Sequence, residues 1–330
     1  MSSVASAVDA VVNELREADK LLLTTHENPD GDALGSLLGM HELLGELGKD
    51  SVMFMADYEF PLPHEYRHMH FEDAVHAPPA DVGERVVVFL DCGNIDRMPV
   101  DFLRTEGTHI VNIDHHHDNT RFGTVNLVDP QASCTAEIVW ELAHELGVEI
   151  TPRMAEALYI GLVTDTGKFQ YENTTPRSHR MAAELIEAGA DTHAIYRKLY
   201  EDLPYSRLEL LARALGKVQR YDDGALTLTS LTKLDYADTG AVESDTEGVV
   251  DHMRAVEGTK VAAVVRELLA DDRAGVRKVS LRATDGTVDV SRIARAHGGG
   301  GHRQAAGFST ELPLEQLVDS IRAGIRDQLH

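Results

Sequence analysis

Carboxylate and imidazole side chains follow three predicted strands of the sequence. Residues 21–26 are predicted to form a buried strand, and Pro29 and Gly31 predict a turn directly after it. Residues 86–90 and 109–113 form two further apolar segments of strand length. The side chains at the ends of these strands are His26, Asp30 and Asp32, then Asp91, then Asp114, His115 and His116. Because the ligand crevice of a parallel sheet lies beyond the carboxyl ends of its strands, we expect these side chains to converge.

A cluster of this composition is suited to divalent cations. Carboxylates that are packed together repel one another and resist ionisation, so cations are needed to neutralise them. The set combines oxygen and nitrogen donors without a thiolate, which favours Mn²⁺ or a related metal over structural zinc. The chain has only two cysteines, Cys92 and Cys134, which excludes a four-cysteine zinc site and a disulfide framework.

Each of these residues also fits an ordinary structural role when it is considered alone. Asp32 is a suitable helix N-cap, Asp91 is a common polar residue for a strand end, and the histidine run from His115 can form a surface loop. Their joint occurrence favours the metal site, because independent accidents would not all fall at one sheet edge. A calcium-binding EF-hand is excluded, since Ala33 stands where that loop requires glycine.

A second histidine motif lies at residues 64–68. Its sequence, His-Glu-Tyr-Arg-His, matches the zinc-protease pattern, in which two histidines lie one helical turn apart. Pro61 and Pro63 crowd its start, so we do not expect a zinc-binding helix there. We interpret His68, His70 and His76 as exposed loop histidines.

The elements around these residues alternate between strands and helices. Helices are predicted at residues 33–47, 135–146, 153–163 and 177–188, with a further short apolar segment at 52–55. Strand-helix-strand alternation of this kind indicates an α/β domain with a mainly parallel sheet.

The length of the chain indicates two domains of ordinary size. We predict a first domain over residues 1–191, a helical connector over 192–221 and a smaller α/β domain over 222–330. The smaller domain has predicted strands at 225–231, 260–268 and 277–283, and predicted helices at 246–256, 290–296 and 314–328. The first 190 residues carry 33 acidic and 12 basic side chains, whereas residues 260–303 carry nine basic and five acidic ones. The first domain is therefore suited to cations, and the basic segment to phosphate.

The smaller domain contains a glycine-rich segment at residues 298–307. Four consecutive glycines allow backbone N–H groups to approach an anion closely, and the following histidine and arginine add further donors. A flexible turn that closes the preceding helix is the alternative interpretation. The candidate substrate-binding residues are Gly299, Gly300, Gly301, His302 and Arg303, together with Arg282 on the preceding strand.

The composition excludes several classes of protein. The 330 residues include 43% hydrophobic residues and carry a formal charge of −24, which predicts a soluble globular protein and argues against a non-specific binder of long duplex DNA. We find neither a membrane span nor a signal peptide pattern, and we expect a cytoplasmic protein. The sequence also lacks a phosphate loop ending in Gly-Lys-Ser/Thr, a dinucleotide-binding fingerprint and a serine hydrolase elbow.

These motifs together resemble the DHH phosphoesterase superfamily. The segments around His26, Asp91 and Asp114, with the sequence Thr-Asp-Thr-Gly at residues 164–167, are similar to its four motifs in the expected order. Residues 298–307 resemble the signature of its DHHA1 domain. The length and the domain spacing are most similar to the bacterial nanoRNase and pAp phosphatase subfamily.

The resemblance implies two Mn²⁺ ions, with Mg²⁺ or Co²⁺ as substitutes, in a cleft between the two domains. Carried onto this sequence, the ligands of one ion are His26, Asp30 and Asp91, and those of the other are Asp32, Asp91, His115 and Asp165. The role of Asp165 rests on the resemblance. We expect Asp114 to orient an imidazole, and His116 to contact the scissile phosphate and assist the leaving oxygen.

The expected activity is that of a phosphoesterase of the 3′–5′ exoribonuclease type. It would hydrolyse short oligoribonucleotides from an end and remove a phosphate from 3′-phosphoadenosine 5′-phosphate (pAp). A phosphodiesterase for cyclic dinucleotides of the c-di-AMP type, or for linear dinucleotides, is a close alternative. A nucleotide sensor without turnover belongs to another class and is disfavoured, because all expected ligands are present. The sequence does not distinguish a monomer from a homodimer.

Overall fold

The structure of the chain, a computed structural model, describes residues 4–98, 100–105, 107–270 and 273–329. The chain divides into two compact units, Met1–Glu201 and Asp202–His330. The division falls within the segment that the sequence predicts as a connector. None of the helices among the described residues is long and apolar enough to cross a membrane.

The first unit is built on a five-stranded parallel sheet. Its strands are β1 (Lys20–Thr24), β2 (Asp50–Met53), β3 (Val86–Leu90), β4 (Ile110–Asp114) and β5 (Val125–Val128). Their order across the sheet is β2-β1-β3-β4-β5, and every neighbouring pair is parallel. The predicted α/β fold with a parallel sheet is therefore confirmed, with β5 as a strand that the sequence did not reveal.

Helices pack against this sheet and against one another. They are α1 (Val4–Glu17), α2 (Gly31–Glu46), α3 (Thr135–Leu146), α4 (Pro152–Asp165), α5 (Pro176–Glu187) and α6 (Thr192–Tyr200). α2 and α4 approach closely, since a Cβ added to Gly35 would lie 2.4 Å from the backbone oxygen of Ala157. This close packing fixes the N-terminus of α2 and the C-terminus of α4, and both ends carry candidate metal ligands.

The second unit contains a mixed six-stranded sheet. Its strands are β6 (Gln219–Tyr221), β7 (Leu226–Leu231), β8 (Val261–Glu267), β9 (Arg277–Ala283), β10 (Gly300–Gly301) and β11 (Ala305–Thr310), in the order β10-β11-β9-β8-β7-β6. Its helices are α7 (Tyr205–Gly216), α8 (Lys233–Thr239), α9 (Val249–Arg254), α10 (Val290–Ala296) and α11 (Leu314–Leu329). One apolar core joins α10 and α11 to one face of the sheet, and a second joins α7, α8 and α9 to the other.

Several elements differ from the sequence prediction. The segment predicted as a helical connector ends in strand β6, and the helix predicted over residues 246–256 is limited to α9. The sequence analysis did not predict β11, because its small residues lack the alternation of apolar and polar side chains that marks a half-buried strand.

Candidate metal centre

The carboxyl ends of β1, β3 and β4 bring the predicted ligands together. His26 follows β1, Asp91 follows β3, and Asp114 is the last residue of β4. Asp91 adopts a left-handed backbone conformation, with φ of +56°. Aspartate tolerates this conformation better than most residues do. The strand is thus interrupted at the residue whose carboxylate lies in the centre of the cluster.

Three groups of candidate ligands include Asp91, and one of them combines it with Asp114 and His116. The potential ligand atoms of His26, Asp30 and Asp91 lie within 4.8 Å of one another, and so do those of Asp32, Asp91 and His115. His26 Nε2 lies 3.6 Å from Asp91 Oδ2, whereas His115 Nε2 lies 3.6 Å from Asp91 Oδ1. The two oxygens of a single carboxylate therefore face two different imidazoles.

The remaining predicted ligand, Asp165, belongs to the same cluster. It is the last residue of α4, and its Oδ2 lies 3.7 Å from His115 Nε2. Asp32 Oδ2 lies 3.9 Å from the same nitrogen. Asp165, which the resemblance alone suggested as a ligand, thus lies beside the residues that the strand ends predicted.

The arrangement fits divalent cations. Distances of 3.6–3.9 Å between the nitrogen and oxygen atoms are too long for hydrogen bonds, yet they leave space for an ion between two ligands. His26 Nε2 is buried and has no hydrogen-bond partner among the described residues. A buried polar atom without a partner is costly, and a metal would satisfy it. The donors are carboxylates and imidazoles, as expected for Mn²⁺ or a related ion.

The carboxyl groups of the cluster do not ionise independently. Burial raises the pKa of Asp32 well above its usual value, and neighbouring carboxylates act in the same direction. Burial likewise raises the pKa of Asp165 to about 6. Burial also disfavours the charge of Asp91, but three neighbouring imidazoles hold its pKa below the usual range. The buried carboxylates thus compete for protons in the absence of cations, which is the behaviour that bound cations would relieve.

The structure corrects the alternative role that the sequence suggested for Asp32. The N-cap of α2 is Asp30, whose Oδ1 accepts hydrogen bonds from the backbone N–H groups of Asp32 and Ala33, both at 3.1 Å. Asp32 instead accepts backbone hydrogen bonds from the start of α3, at 2.6 Å from Thr135 and 2.9 Å from Ala136. A carboxylate is favoured there because the N-terminus of a helix presents unpaired N–H groups and a positive dipole.

Asp114 and His116 form a hydrogen-bonded pair next to the ligands. His116 Nδ1 lies 2.7 Å from Asp114 Oδ1, and both side chains are largely buried. Burial opposes protonation of His116, but the charge and hydrogen bond of Asp114 outweigh it and raise the pKa of His116 to about 9. The imidazole that is hydrogen-bonded to Asp114 in this structure is that of His116.

Three polar residues support the cluster, and the sequence analysis missed them. Thr135 Oγ1 donates to Asp91 Oδ1 at 2.9 Å, Asn119 Nδ2 donates to Asp114 Oδ2 at 2.6 Å, and Asn173 Nδ2 donates to Asp165 Oδ2 at 3.2 Å. Groups that bind and orient metal ligands from outside are needed to hold such a site. Only the position of Thr135 at a predicted helix start offered a signal in the sequence.

The glycine-rich segment forms a tight hairpin in the second unit. Gly300 and Gly301 pair with Gly307 and Ala306, so the segment is an ordered β-hairpin and not a flexible turn. A Cβ on Gly299 would lie 2.2 Å from the backbone oxygen of Gly307, which explains why glycine is required there.

The other candidate substrate-binding residues lie around this hairpin. Arg282 on β9 lies opposite Ala305 of β11, and His302 donates its backbone N–H to Ala305 at 2.7 Å. Arg303 donates from a guanidinium nitrogen to the backbone oxygen of Gly286 at 2.5 Å. The second unit thus brings Arg282, residues 299–301, His302 and Arg303 to one end of its sheet.

The histidine motif at residues 64–68 does not form the helix of a zinc protease. Only a short 3₁₀ turn, His64–Tyr66, is present, so the two histidines do not lie one α-helical turn apart on a common face. His70 and His76 are exposed as predicted. His68 is half-buried, which corrects the prediction, because the chain turns inward at the buried Met69.

Two family profiles cover most of the chain. The DHH family, N-terminal domain, matches residues 20–162, and the DHHA1 domain matches residues 231–330. The bifunctional oligoribonuclease and PAP phosphatase NrnA of Thermus thermophilus is 36% identical over 310 residues, which cover 94% of this chain and 90% of that protein. The chain belongs to the DHH family. The predicted resemblance to DHH and DHHA1 proteins is confirmed, and with it a phosphoesterase-type hydrolase.

Two further relatives cover nearly the whole chain. The bifunctional oligoribonuclease and PAP phosphatase NrnA of Bacillus subtilis is 28% identical over 294 residues, covering 88% of this DHH chain and 89% of that one. A crystal structure of an exopolyphosphatase-related protein from Bacteroides fragilis superimposes with a TM-score of 0.85 at 26% identity, and covers 98% of this chain and 96% of that one. The similarity therefore extends over both units.

Proposed function

We propose that the chain is a two-metal phosphoesterase that hydrolyses short oligoribonucleotides and pAp with Mn²⁺. The main support is the position of Asp91, whose two carboxylate oxygens each lie 3.6 Å from a different buried imidazole. A carboxylate placed in this way is suited to bridge two cations. The NrnA proteins of Thermus thermophilus and Bacillus subtilis, which carry the names of both activities, support this substrate class.

Six side chains of the first unit would hold the ions. We assign His26, Asp30 and Asp91 to one ion, and Asp32, Asp91, His115 and Asp165 to the other. When bound, such ions lower the pKa of a water nucleophile and neutralise charge on the phosphate. Mn²⁺ is the proposed metal, and Mg²⁺ or Co²⁺ are the proposed substitutes, because the donors are oxygen and imidazole nitrogen without thiolate.

His116 and Asp114 would act on the leaving group. The hydrogen bond that His116 Nδ1–H donates to Asp114 fixes the orientation of the His116 ring, and it directs Nε2 to the opposite side. We assign His116 Nε2 to the oxygen that leaves when the phosphoester breaks, to which it would give a proton. In this proposal His115 is a metal ligand, and His116 contacts the substrate.

Hydrolysis of a defined substrate panel tests this function. The panel contains RNA of two, three, five and 20 nucleotides, pAp and a cyclic dinucleotide, each incubated with Mn²⁺ and with excess EDTA. We expect hydrolysis of pAp and of the RNAs of two to five nucleotides, with a lower kcat/KM for the 20-mer, and complete loss of activity in EDTA. Full hydrolysis in EDTA would overturn the metal assignment. Preferential cleavage of the cyclic dinucleotide, or equal cleavage of the 20-mer per end, would overturn the substrate assignment.

The second unit is proposed to bind the part of the substrate that is not cleaved. Arg282→Ala and Arg303→Ala each remove a charge-assisted contact to a non-reacting phosphate, so we expect a rise in KM of about tenfold or more with unchanged metal content. Arg326→Ala is the matched control, since α11 covers the opposite face of the sheet from Arg282. If the arginine variants bind substrate like the control, the glycine-rich hairpin is structural and the substrate is bound elsewhere.

A further inference from the structure

The turn that follows Asp91 carries an arginine to which none of the roles above is assigned. Residues Ile95–Arg97 form a short 3₁₀ turn after β3, and Arg97 is exposed. Its guanidinium group makes no ion pair and no hydrogen bond with any residue that the structure describes. An arginine without an ion pair is unusual in this part of the chain, because the first 190 residues contain 33 acidic side chains.

The turn itself is held rigidly. Asn94 Oδ1 accepts the backbone N–H of Asp96 at 3.0 Å. Arg104 donates to the backbone oxygens of Ile95 and Met98, at 2.8 and 3.2 Å, and forms an ion pair with Asp96 at 3.1 Å. The neighbouring polar groups of the turn are therefore paired with one another, and Arg97 is held on a preorganised support.

The turn lies between two loops of the metal centre. The backbone oxygen of Arg97 accepts a hydrogen bond from the N–H of Glu27, next to His26, at 2.7 Å. On the other side, Gly93 accepts a backbone hydrogen bond from Thr120 at 2.8 Å, and a Cβ added to Gly93 would lie 3.5 Å from Cβ of His116. The segment from Asp91 to Arg97 thus connects the loop of one metal ligand with the loop of His116.

We propose that Arg97 binds the scissile phosphate of the substrate at the metal centre. The inference rests on the proposed phosphoesterase function. A phosphate that enters a cluster of carboxylates needs positive partners, and a planar guanidinium can donate two parallel hydrogen bonds to its oxygens. Charge develops on these oxygens during phosphoryl transfer, so a guanidinium group that binds them there stabilises the transition state more than the ground state.

Arg97→Ala, Arg97→Lys and a control variant test this role. The control is Arg153→Ala, which removes an exposed arginine at the N-terminus of α4, about 20 Å along the helix from Asp165. For Arg97→Ala we expect kcat/KM for a dinucleotide to fall about 10²-fold or more. Arg97→Lys should retain part of the activity, because it keeps the charge but loses the planar fork. The control should retain wild-type activity.

Binding of inorganic phosphate to the Mn²⁺-loaded proteins gives a readout that does not depend on turnover. We expect Arg97→Ala to bind phosphate about tenfold or more weakly than wild type and the control, with the same metal content and the same Tm. Phosphate affinity and kcat/KM within twofold of wild type would overturn the inference. So would a loss that is accompanied by a loss of metal, since Arg97 would then support the fold of the ligand loops. If the wild-type protein binds phosphate through Arg97 but cleaves none of the nucleotides, the proposed function fails and the phosphate site stands.

Discussion

Replacing Asp91 by asparagine is expected to lower kcat/KM by about 10⁴-fold or more and to remove both metal ions. Asparagine has nearly the same shape, so the hydrogen bond from Thr135 and the burial of the side chain are retained. It has no charge, however, and its amide nitrogen is a donor that cannot ligate a cation. One of the two proposed ions would therefore lose its Asp91 oxygen, and both sites would lose the negative charge.

Metal content and steady-state kinetics of three variants would check this expectation. Asp32→Asn affects one group of candidate ligands only, so it should retain one ion and a higher residual rate than Asp91→Asn. Asp129→Asn is the matched control, because it removes a carboxylate directly after the neighbouring strand β5, outside every group of candidate ligands among the described residues. Equal residual rates and equal metal content in Asp91→Asn and Asp32→Asn would show that Asp91 does not bridge.

The sequence was sufficient to predict the parallel sheet and the convergence of the candidate ligands. His26, Asp91 and His115 belong to three segments that are far apart in the chain, but each follows an apolar strand. Parallel pairing of strands aligns their carboxyl ends, so the type of sheet determines which side chains meet. No pairwise contact had to be known for this inference, since it depends on topology alone.

The sequence pattern could not predict the residues that form hydrogen bonds to the candidate ligands. Thr135, Asn119 and Asn173 are ordinary polar residues whose importance depends on tertiary hydrogen bonds to carboxylates elsewhere in the chain. The hydrogen bonds of Asp32 could not be predicted either, because Asp32 binds the N-terminus of a helix that begins 103 residues later. Local propensity marks a helix start, but it does not say which carboxylate will bind there.

The backbone conformations of Asp91 and of the glycine-rich segment could not be predicted from the sequence either. The left-handed conformation of Asp91 is tolerated by many aspartates and required by few, so residue type alone does not predict it. For the glycine-rich segment, the composition does predict unusual backbone conformations. Only the pairing with β11 shows that these conformations form a hairpin. In both cases the tertiary context selects one of several conformations that the residues allow.

His116→Ala is expected to lower kcat about 10²-fold or more, with KM changed only a few-fold and both metal ions retained. His116 is not among the six residues assigned to the ions, although it lies 3.5 Å from Asp91 Oδ1 and forms a further candidate group with Asp91 and Asp114, to which Nδ1 is hydrogen-bonded. Loss of the imidazole therefore removes a group assigned to the reacting phosphate without removing a proposed metal ligand. The expected loss lies in turnover, in contrast to the loss of affinity expected for Arg282→Ala and Arg303→Ala.

Asp114→Asn tests in the same experiment whether Asp114 acts by positioning His116. Asparagine keeps a hydrogen bond to His116 but can present an amide N–H to Nδ1, which would favour the ring tautomer with the proton on Nε2 and remove the charge that stabilises the imidazolium. We expect a loss of kcat comparable to that of His116→Ala, and little further loss in the double variant, since both changes disable one unit. Added imidazole should restore part of the activity of His116→Ala and none of that of Asp114→Asn. If His116→Ala instead loses metal, His116 is a metal ligand. If its kcat is unchanged, the proton for the leaving oxygen comes from another group, and His116 only supports Asp114.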